Sequence, residues 1–247
     1  MKEKHPRRRK KRKKKHYLLK FFALILIGVG LYYFLTSDFF AIQKILVENN
    51  KYYTAEQIIS IAKSKTGDNL FQVSTSNMKD KLLKDPYIKN VKVSRRIPDK
   101  ILITVEERKE NAAIPFGDDY IIIDKEGMIL RETDKKPALT LLSGMTLSNI
   151  EPGTPLKVEE NSVLNATLKM LEEMEKNEIY FKEIQISNVI IKAYIYDNLV
   201  CEGTPENIMK NMDDLQDVLY DLYSKGIERG VIKIGGSGYY SFNPSVE

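Results

Sequence analysis

The sequence predicts an α+β fold with one N-terminal transmembrane helix, a small β-α-α-β-β domain and then a mixed β-rich domain with two helices. Three observations favour this organisation. An apolar run without charge, residues 21–35, follows a dense basic block. Strand-like and helix-like patterns follow one another in the order β-α-α-β-β over residues 39–108. Residues 109–242 are richer in strand patterns than in helix patterns.

The N-terminal segment predicts a basic tail, residues 1–16, and a transmembrane helix, residues 17–36. The first 20 residues contain twelve of the 39 Lys and Arg but one acid, Glu3. The 19 residues from Tyr17 to Leu35 rise about 1.5 Å each, which spans roughly the 30 Å hydrocarbon core of a bilayer. Lys20 lies near one end of the span, where its long side chain can reach the headgroups.

The charge asymmetry predicts a single-pass type II protein, with the N-terminus in the cytoplasm and the remaining chain outside. A cleaved signal peptide is the first alternative, but the apolar run is long and the following TSDFFAIQ contains no convincing cleavage site. A nucleic-acid-binding tract is the second alternative. Bases directly next to an apolar helix are better explained by topology and by attraction to anionic lipid.

The composition after residue 20 excludes several kinds of chemistry. This part holds 27 bases and 33 acids, a net charge of −6, so nucleic acid is not an expected partner. Its one cysteine, Cys201, has no second cysteine with which to form an intramolecular disulfide. Both histidines, His5 and His16, lie in the basic tail, which excludes a His-based triad or zinc site outside the membrane. We expect no cofactor or metal, although a serine nucleophile or a carboxylate pair remains possible.

Cap and turn residues divide the first block, residues 39–108, into its elements. A strand is predicted at 42–48, and a capping box at Thr54 opens a helix that we expect to end at Gly67. A second helix is predicted at about 77–84. Two strands with apolar residues at alternate positions then flank a turn at 96–100.

The second block, residues 109–242, has a different mixture of elements. The predicted elements are a hairpin over 120–131, a helix over 161–176, strands at 184–186, 189–196 and 199–201, a long helix from Thr204 to Gly226, and a terminal hairpin over 231–242. A short tail, residues 243–247, follows.

Two short motifs match the sequence pattern of a known kind of active site. Ser60-Ile-Ala-Lys63 and Lys65-Thr66-Gly67 match the S-x-x-K and K-T-G of penicillin-binding enzymes. In those enzymes the K-T-G lies on a strand beside the nucleophile, whereas here it begins two residues after Lys63, at the C-terminus of a predicted helix. We therefore assign Ser60 to a helix surface and expect the protein not to be an enzyme.

The string DPYIKNVKVSRRIPDKILITVEER, residues 85–108, has proline, apolar and basic positions at a spacing that resembles the POTRA domain of the FtsQ/DivIB family of cell division proteins. The string YIIIDKEG, residues 120–127, is similar to the opening of that family's β domain. Residues 200–234 resemble its strand, glycine, long helix and closing strand. The short tail departs from many relatives, in which the chain continues.

The resemblance implies a non-enzymatic scaffold of the divisome, located at the septum. Such proteins bind the single-pass proteins FtsL and FtsB/DivIC through the β domain and help to assemble septal peptidoglycan synthesis, with a septal penicillin-binding protein as a further candidate partner. The alternative is another membrane-anchored POTRA protein that acts in secretion or envelope assembly.

The predicted terminal hairpin supplies the candidate partner-binding site. An edge strand accepts a partner's strand by β-augmentation, and aromatic residues near the edge are suitable anchors. Ordinary core packing of the same aromatics is the competing interpretation. The predicted partner-binding residues are Val231, Ile232, Ile234, Tyr239, Tyr240 and Phe242.

Overall fold

A computed structural model describes residues 17–177, 179–236 and 240–244. Its helices are α1 (Tyr17–Leu35), α2 (Ala55–Ala62), α3 (Thr75–Leu82), α4 (Asn161–Lys176), α5 (Pro205–Lys210) and α6 (Met212–Ser224). Its strands are β1 (Lys44–Glu48), β2 (Ile88–Arg96), β3 (Lys100–Glu107), β4 (Glu110–Phe116), β5 (Asp119–Asp124), β6 (Ile129–Thr133), β7 (Thr140–Ser143), β8 (Glu183–Ile186), β9 (Ile191–Tyr194), β10 (Asn198–Gly203), β11 (Arg229–Ile234) and β12 (Tyr240–Asn243). The predicted α+β class, with an N-terminal apolar helix, is confirmed.

Helix α1 is, within the described ranges, the one helix long and apolar enough to cross a membrane. Residues 17–34 are all exposed, and the helix meets the folded part of the chain at its last two residues: Phe34 lies edge-on against the Phe40 ring, with centroids 5.2 Å apart, and Leu35 packs against the core. Asn69 Nδ2 donates to the carbonyl oxygens of Leu35, at 2.9 Å, and Ser37, at 3.3 Å. The end of the helix is therefore fixed directly to the folded part that follows.

The first folded unit is a three-stranded sheet in the order β1-β3-β2, with β1 parallel and β2 antiparallel to β3. Helices α2 and α3 bury apolar side chains against it because their apolar residues recur at helical spacing. The buried core contains Phe40, Ile42, Ile58, Ala62, Leu70, Met78, Leu82, Ile88, Val91, Ile101, Ile103 and Val105.

The capping box at Thr54 is confirmed, but the predicted helix end at Gly67 is wrong. Helix α2 ends at Ala62 because Lys63 adopts the left-handed conformation, with φ 51°, and its N–H donates to Ile59 and Ser60 carbonyls. Helix α3 begins two residues earlier than predicted because the Ser74 side chain accepts a hydrogen bond from the Asn77 N–H and caps it.

The second unit is a nine-stranded sheet in the order β12-β11-β10-β9-β8-β7-β4-β5-β6. Helices α4, α5 and α6 cover one face and form the larger core with it. The predicted hairpin of β5 and β6 and the predicted helix over 161–176 are confirmed. Two interior strands of the sheet, β7 and β4, are not predicted from the sequence.

The long helix predicted from Thr204 to Gly226 forms as two consecutive segments, α5 and α6, that meet at Asn211. The Thr204 side chain caps α5 by accepting from the Asn207 N–H. Asn211 Nδ2 donates to the Asn207 carbonyl at 2.7 Å. A side-chain amide that hydrogen-bonds the preceding turn competes with the helical backbone, which accounts for the break.

A polar cluster joins the two sheets. Arg108, between β3 and β4, forms an ion pair with Asp124, and it also lies 2.9 Å from Glu126. Glu110, at the start of β4, accepts from Tyr87 Oη at 2.6 Å and from Arg131 Nε at 2.8 Å. Because these contacts connect Tyr87, just before β2, and the β3–β4 connection with strands β4, β5 and β6, they couple the two sheets.

Candidate partner-binding edge

Strand β12 forms one end of the nine-stranded sheet. It pairs antiparallel with β11, and β11 pairs parallel with β10 on its other side. Within residues 17–177, 179–236 and 240–244, β11 is the only strand that pairs with β12. The outer side of β12 therefore presents main-chain N–H and C=O groups to which a further strand can hydrogen-bond.

The candidate residues divide between the two faces of this hairpin. Ile232 and Ile234 are buried in the larger core, with exposed fractions of 0% and 4%. Their partners across the hairpin, Phe242 and Tyr240, are half-buried and pack against the same core. Alternation along a strand places the half-buried Val231 on the opposite face. Four of the six residues thus point inward, and core packing explains their apolar character.

Tyr239 lies outside the described residues. The structure also adds three residues that are not predicted from the sequence: Lys233, Ser241 and Asn243 share the face that carries Val231. The apolar pattern of the hairpin does not indicate them, because all three are polar. In a strand with one buried face, the polar positions between the apolar ones are those that remain accessible.

Two contacts hold β12 against the helices. Gly230 has φ 144°, and a Cβ at this position would overlap the Phe242 ring, so the ring lies directly on the glycine backbone. Tyr240 Oη donates to the Asn211 carbonyl at 3.0 Å, where α5 ends and α6 begins. Strand β12 is thereby attached both to β11 and to the break between the two helices.

Two titratable side chains at or near β12, those of Tyr240 and Cys201, are poorly suited to act as bases or nucleophiles at neutral pH. Burial, reinforced by the nearby Asp214 carboxylate, raises the pKa of Tyr240 to about 12. Burial also raises the pKa of the Cys201 thiol to about 12. Cys201 is in register with Ile232 and is fully buried, so it behaves as a small apolar core residue.

The structure also shows where the S-x-x-K and K-T-G motifs of the first unit lie. Ser60 is exposed on α2, as predicted, and Lys63 follows the end of that helix in the left-handed conformation. Lys65-Thr66-Gly67 lies in the loop after α2 and is not part of a strand. The strand-borne K-T-G of penicillin-binding enzymes is therefore not reproduced here.

Comparisons with known proteins extend over both sheets. The profile of the family described as "POTRA domain, FtsQ-type" matches residues 40–108, which contain the three-stranded sheet. The chain is 32% identical over 194 residues to Cell division protein DivIB of Clostridium acetobutylicum, which covers 75% of this chain and 76% of the relative.

Two further relatives share a lower identity with the chain. Cell division protein DivIB of Bacillus subtilis is 22% identical over 222 residues, which covers 89% of this chain and 80% of the relative. Cell division protein FtsQ of Syntrophotalea carbinolica is 25% identical over 146 residues, which covers 58% of this chain and 50% of the relative. The matches to both DivIB proteins extend well beyond the length of the POTRA-type segment alone.

Proposed function

Because the chain belongs to the DivIB/FtsQ family of cell division proteins, we propose that it is a membrane-anchored scaffold of the divisome and not an enzyme. One observation supports a scaffold role in particular: β12 ends a nine-stranded sheet and offers its main chain to a further strand. Edges of this kind bind partners through main-chain hydrogen bonds, with side-chain pockets adding specificity. Such assembly requires no catalytic residue.

The proposed topology is single-pass type II. The basic tail, residues 1–16, lies in the cytoplasm, and residues 17–36 span the membrane. A POTRA domain, residues 39–108, and a β domain, residues 109–242, lie outside, followed by the short tail 243–247. The excess of bases before α1 supports this orientation through the positive-inside rule.

The proposed partners are FtsL and FtsB/DivIC-like proteins, through which the scaffold would help to assemble septal peptidoglycan synthesis. In this proposal a strand of the FtsB/DivIC-like partner adds to the outer side of β12. Val231, Lys233 and Asn243 lie on the face away from the core and would contact partner side chains. Tyr240 and Phe242 act indirectly, because their packing holds β12 in place.

Site-specific photo-crosslinking of the full chain tests this edge without disturbing its fold. Asn243 is exposed on β12, and the matched control Glu132 is exposed on β6, the strand at the opposite end of the same sheet. Benzoylphenylalanine at position 243 should crosslink to a co-expressed FtsB/DivIC-like partner, whereas the same group at position 132 should not. Crosslinking from position 132 alone would assign binding to the other edge.

Proline substitution provides a second test of the same edge. Ser241→Pro removes a main-chain donor and disturbs the ladder geometry of β12, so it should abolish co-purification of the partner. Glu132→Pro makes the same change at the opposite edge and should preserve co-purification. Circular dichroism must show that both variants stay folded. Unchanged partner capture by folded Ser241→Pro would refute the edge proposal.

A further inference from the structure

The three-stranded sheet carries a row of three bases at one end. Lys44 of β1 is in register with Lys100 of β3, and Lys100 is in register with Arg96 of β2. All three side chains are exposed, and none has an ion-pair partner in the part of the chain that the structure describes. Like charges directly opposite one another destabilise a sheet. The stability of the fold therefore does not explain this row of bases, whereas contact with an anionic surface would explain it.

This end of the sheet is the end attached to α1. Asn69 Nδ2 donates to the carbonyl of Leu35, the last residue of α1. Arg95 Nε donates at 2.8 Å to the carbonyl of the residue after Asn69. The N–H of Gln43, just before β1, donates at 2.8 Å to the carbonyl of Asp99 in the β2–β3 turn. The base row, the β2–β3 turn and the end of α1 are thus neighbours.

Exposed apolar side chains accompany the bases. Ile97, in the β2–β3 turn, is 69% exposed, and Phe39, four residues after α1, is 62% exposed. Phe71 is 39% exposed and lies edge-on against the buried Phe40, with ring centroids 5.0 Å apart. Aromatic and apolar side chains flanked by bases are typical of surfaces that lie at the headgroup level of a membrane.

We propose that this end of the POTRA-type domain lies on the outer leaflet of the membrane that α1 spans. Ile97 and Phe39 enter the headgroup region, and Lys44, Lys100 and Arg96 lie against lipid phosphates. The inference rests on the anchoring and topology of the proposed function. Continuity with α1 identifies the occupant, because the helix end is hydrogen-bonded to this part of the domain.

The arrangement would set the distance of the second sheet from the membrane. Strand β3 begins at the membrane end, at Lys100, and runs to Glu107, just before β4. Its 8 residues extend over roughly 23 Å, at about 3.3 Å per step. The start of β4, where the chain enters the nine-stranded sheet, would therefore be held about one strand length above the lipid.

The chain contains no tryptophan, so a single introduced tryptophan reports on its own surroundings. Three full-length variants, each in vesicles of phosphatidylcholine and phosphatidylglycerol with brominated acyl chains, test the inference. Ile97→Trp probes the surface, Tyr33→Trp probes α1, and Tyr52→Trp probes the far end of the domain, where the Tyr52 N–H donates to Glu107. Because both leaflets contain brominated lipid, the quenching of tryptophan does not depend on the orientation of the protein in the vesicle.

We expect strong quenching and a blue-shifted emission for Ile97→Trp and Tyr33→Trp, and little quenching for Tyr52→Trp. Quenching of Tyr33→Trp alone would overturn the inference and leave membrane anchoring intact. Quenching of all three would overturn the end-on orientation, because the domain would then lie on its side. Absence of quenching at Tyr33→Trp would overturn the anchoring itself. Burial at position 97 only after partners are added would assign the surface to a partner.

A separate comparison tests the contribution of the three bases to membrane contact. In the Ile97→Trp protein, quenching should decrease when phosphatidylglycerol is omitted and should be insensitive to added inorganic phosphate. Replacement of Lys44, Lys100 and Arg96 by Gln should remove the dependence on phosphatidylglycerol. The matched control replaces Lys51, Lys79 and Lys92, exposed bases elsewhere in the same unit, and should preserve it. Two results would contradict a role for the row at a lipid surface. One is an equal loss of the dependence on phosphatidylglycerol in both triple variants, and the other is a decrease in quenching when inorganic phosphate is added.

Discussion

At the residue scale, Arg108 forms a largely buried ion pair at the contact between the two sheets. Its side chain is 12% exposed, and that of its partner Asp124 is 4% exposed. The Asp124 carboxylate also accepts from the N–H groups of Glu126 and Met128, which shapes the turn between β5 and β6. A buried carboxylate that loses its cation is strongly destabilising.

We therefore expect Arg108→Gln to lower the free energy of unfolding by about 3–5 kcal/mol. The neighbouring Lys109 is 81% exposed and pairs with an exposed Glu175, so Lys109→Gln should change the stability very little. Urea unfolding followed by circular dichroism measures both. Similar midpoints for the two variants would show that the Arg108–Asp124 pair does not stabilise the junction.

The carboxyl of Glu110 makes the junction sensitive to acid. Burial opposes its ionisation, but the hydrogen bonds from Arg131 and Tyr87 outweigh burial and lower its pKa below the usual 4.5. A carboxyl whose pKa is lower in the folded state stabilises the fold above its unfolded pKa, and this contribution is lost as the pH falls through the folded pKa.

Glu110→Gln should thus reduce the urea midpoint near neutral pH and flatten its pH dependence. As the pH falls below 4.5, the wild-type midpoint should fall further than that of the variant. Parallel midpoint-against-pH curves for the two proteins would contradict the lowered pKa of Glu110.

At the element scale, the sequence predicts best those elements that have one buried face and a recognisable cap. The capping box of α2 and the apolar stripe of α4 are of this kind. Strand β4 carries two alanines and Pro115, and its buried residues, 112–114, are consecutive, so no alternation indicates a strand. Strand β7 has four residues, three of them buried, which is too short for a periodic pattern.

The candidate partner-binding edge is likewise only partly predictable from the sequence. The apolar positions of the terminal hairpin are visible in the sequence, but which face they occupy depends on the helices that cover the sheet. Tyr240 points toward the break between α5 and α6, where its hydroxyl donates to the carbonyl of Asn211, a residue distant in sequence from β12. Phe242 packs on Gly230 of the neighbouring strand β11. The sequence therefore locates the edge but not its accessible face.

Gly230 tests the packing of this hairpin. In Gly230→Ala the new methyl group would overlap the Phe242 ring at a backbone conformation that favours glycine, so we expect a loss of about 1–3 kcal/mol of stability. Weaker capture of the partner should accompany it. Gly236→Ala is the matched control, because a Cβ there has only ordinary contacts with Asn207. Equal stability of the two alanine variants would mean that Phe242 does not pack on Gly230.

At the scale of the whole molecule, charge is distributed very unevenly along the chain. Twelve bases lie in the first 20 residues, whereas the remainder has a net charge of −6. The proposed type II topology follows from this asymmetry. Protease added to intact protoplasts should digest the chain beyond about residue 38 and spare an epitope placed in the basic tail. Protection of the folded part in intact cells, with digestion only after lysis, would reverse the orientation.

The most direct test of the divisome assignment is the position of the protein during the cell cycle. A fluorescent protein fused to the basic N-terminal tail of the full chain should form a band at mid-cell that appears before constriction and disappears after separation. The band should also contain the FtsB/DivIC-like partner, and the Ser241→Pro variant should fail to recruit that partner. Uniform membrane fluorescence at every stage of the cycle would contradict a role in division.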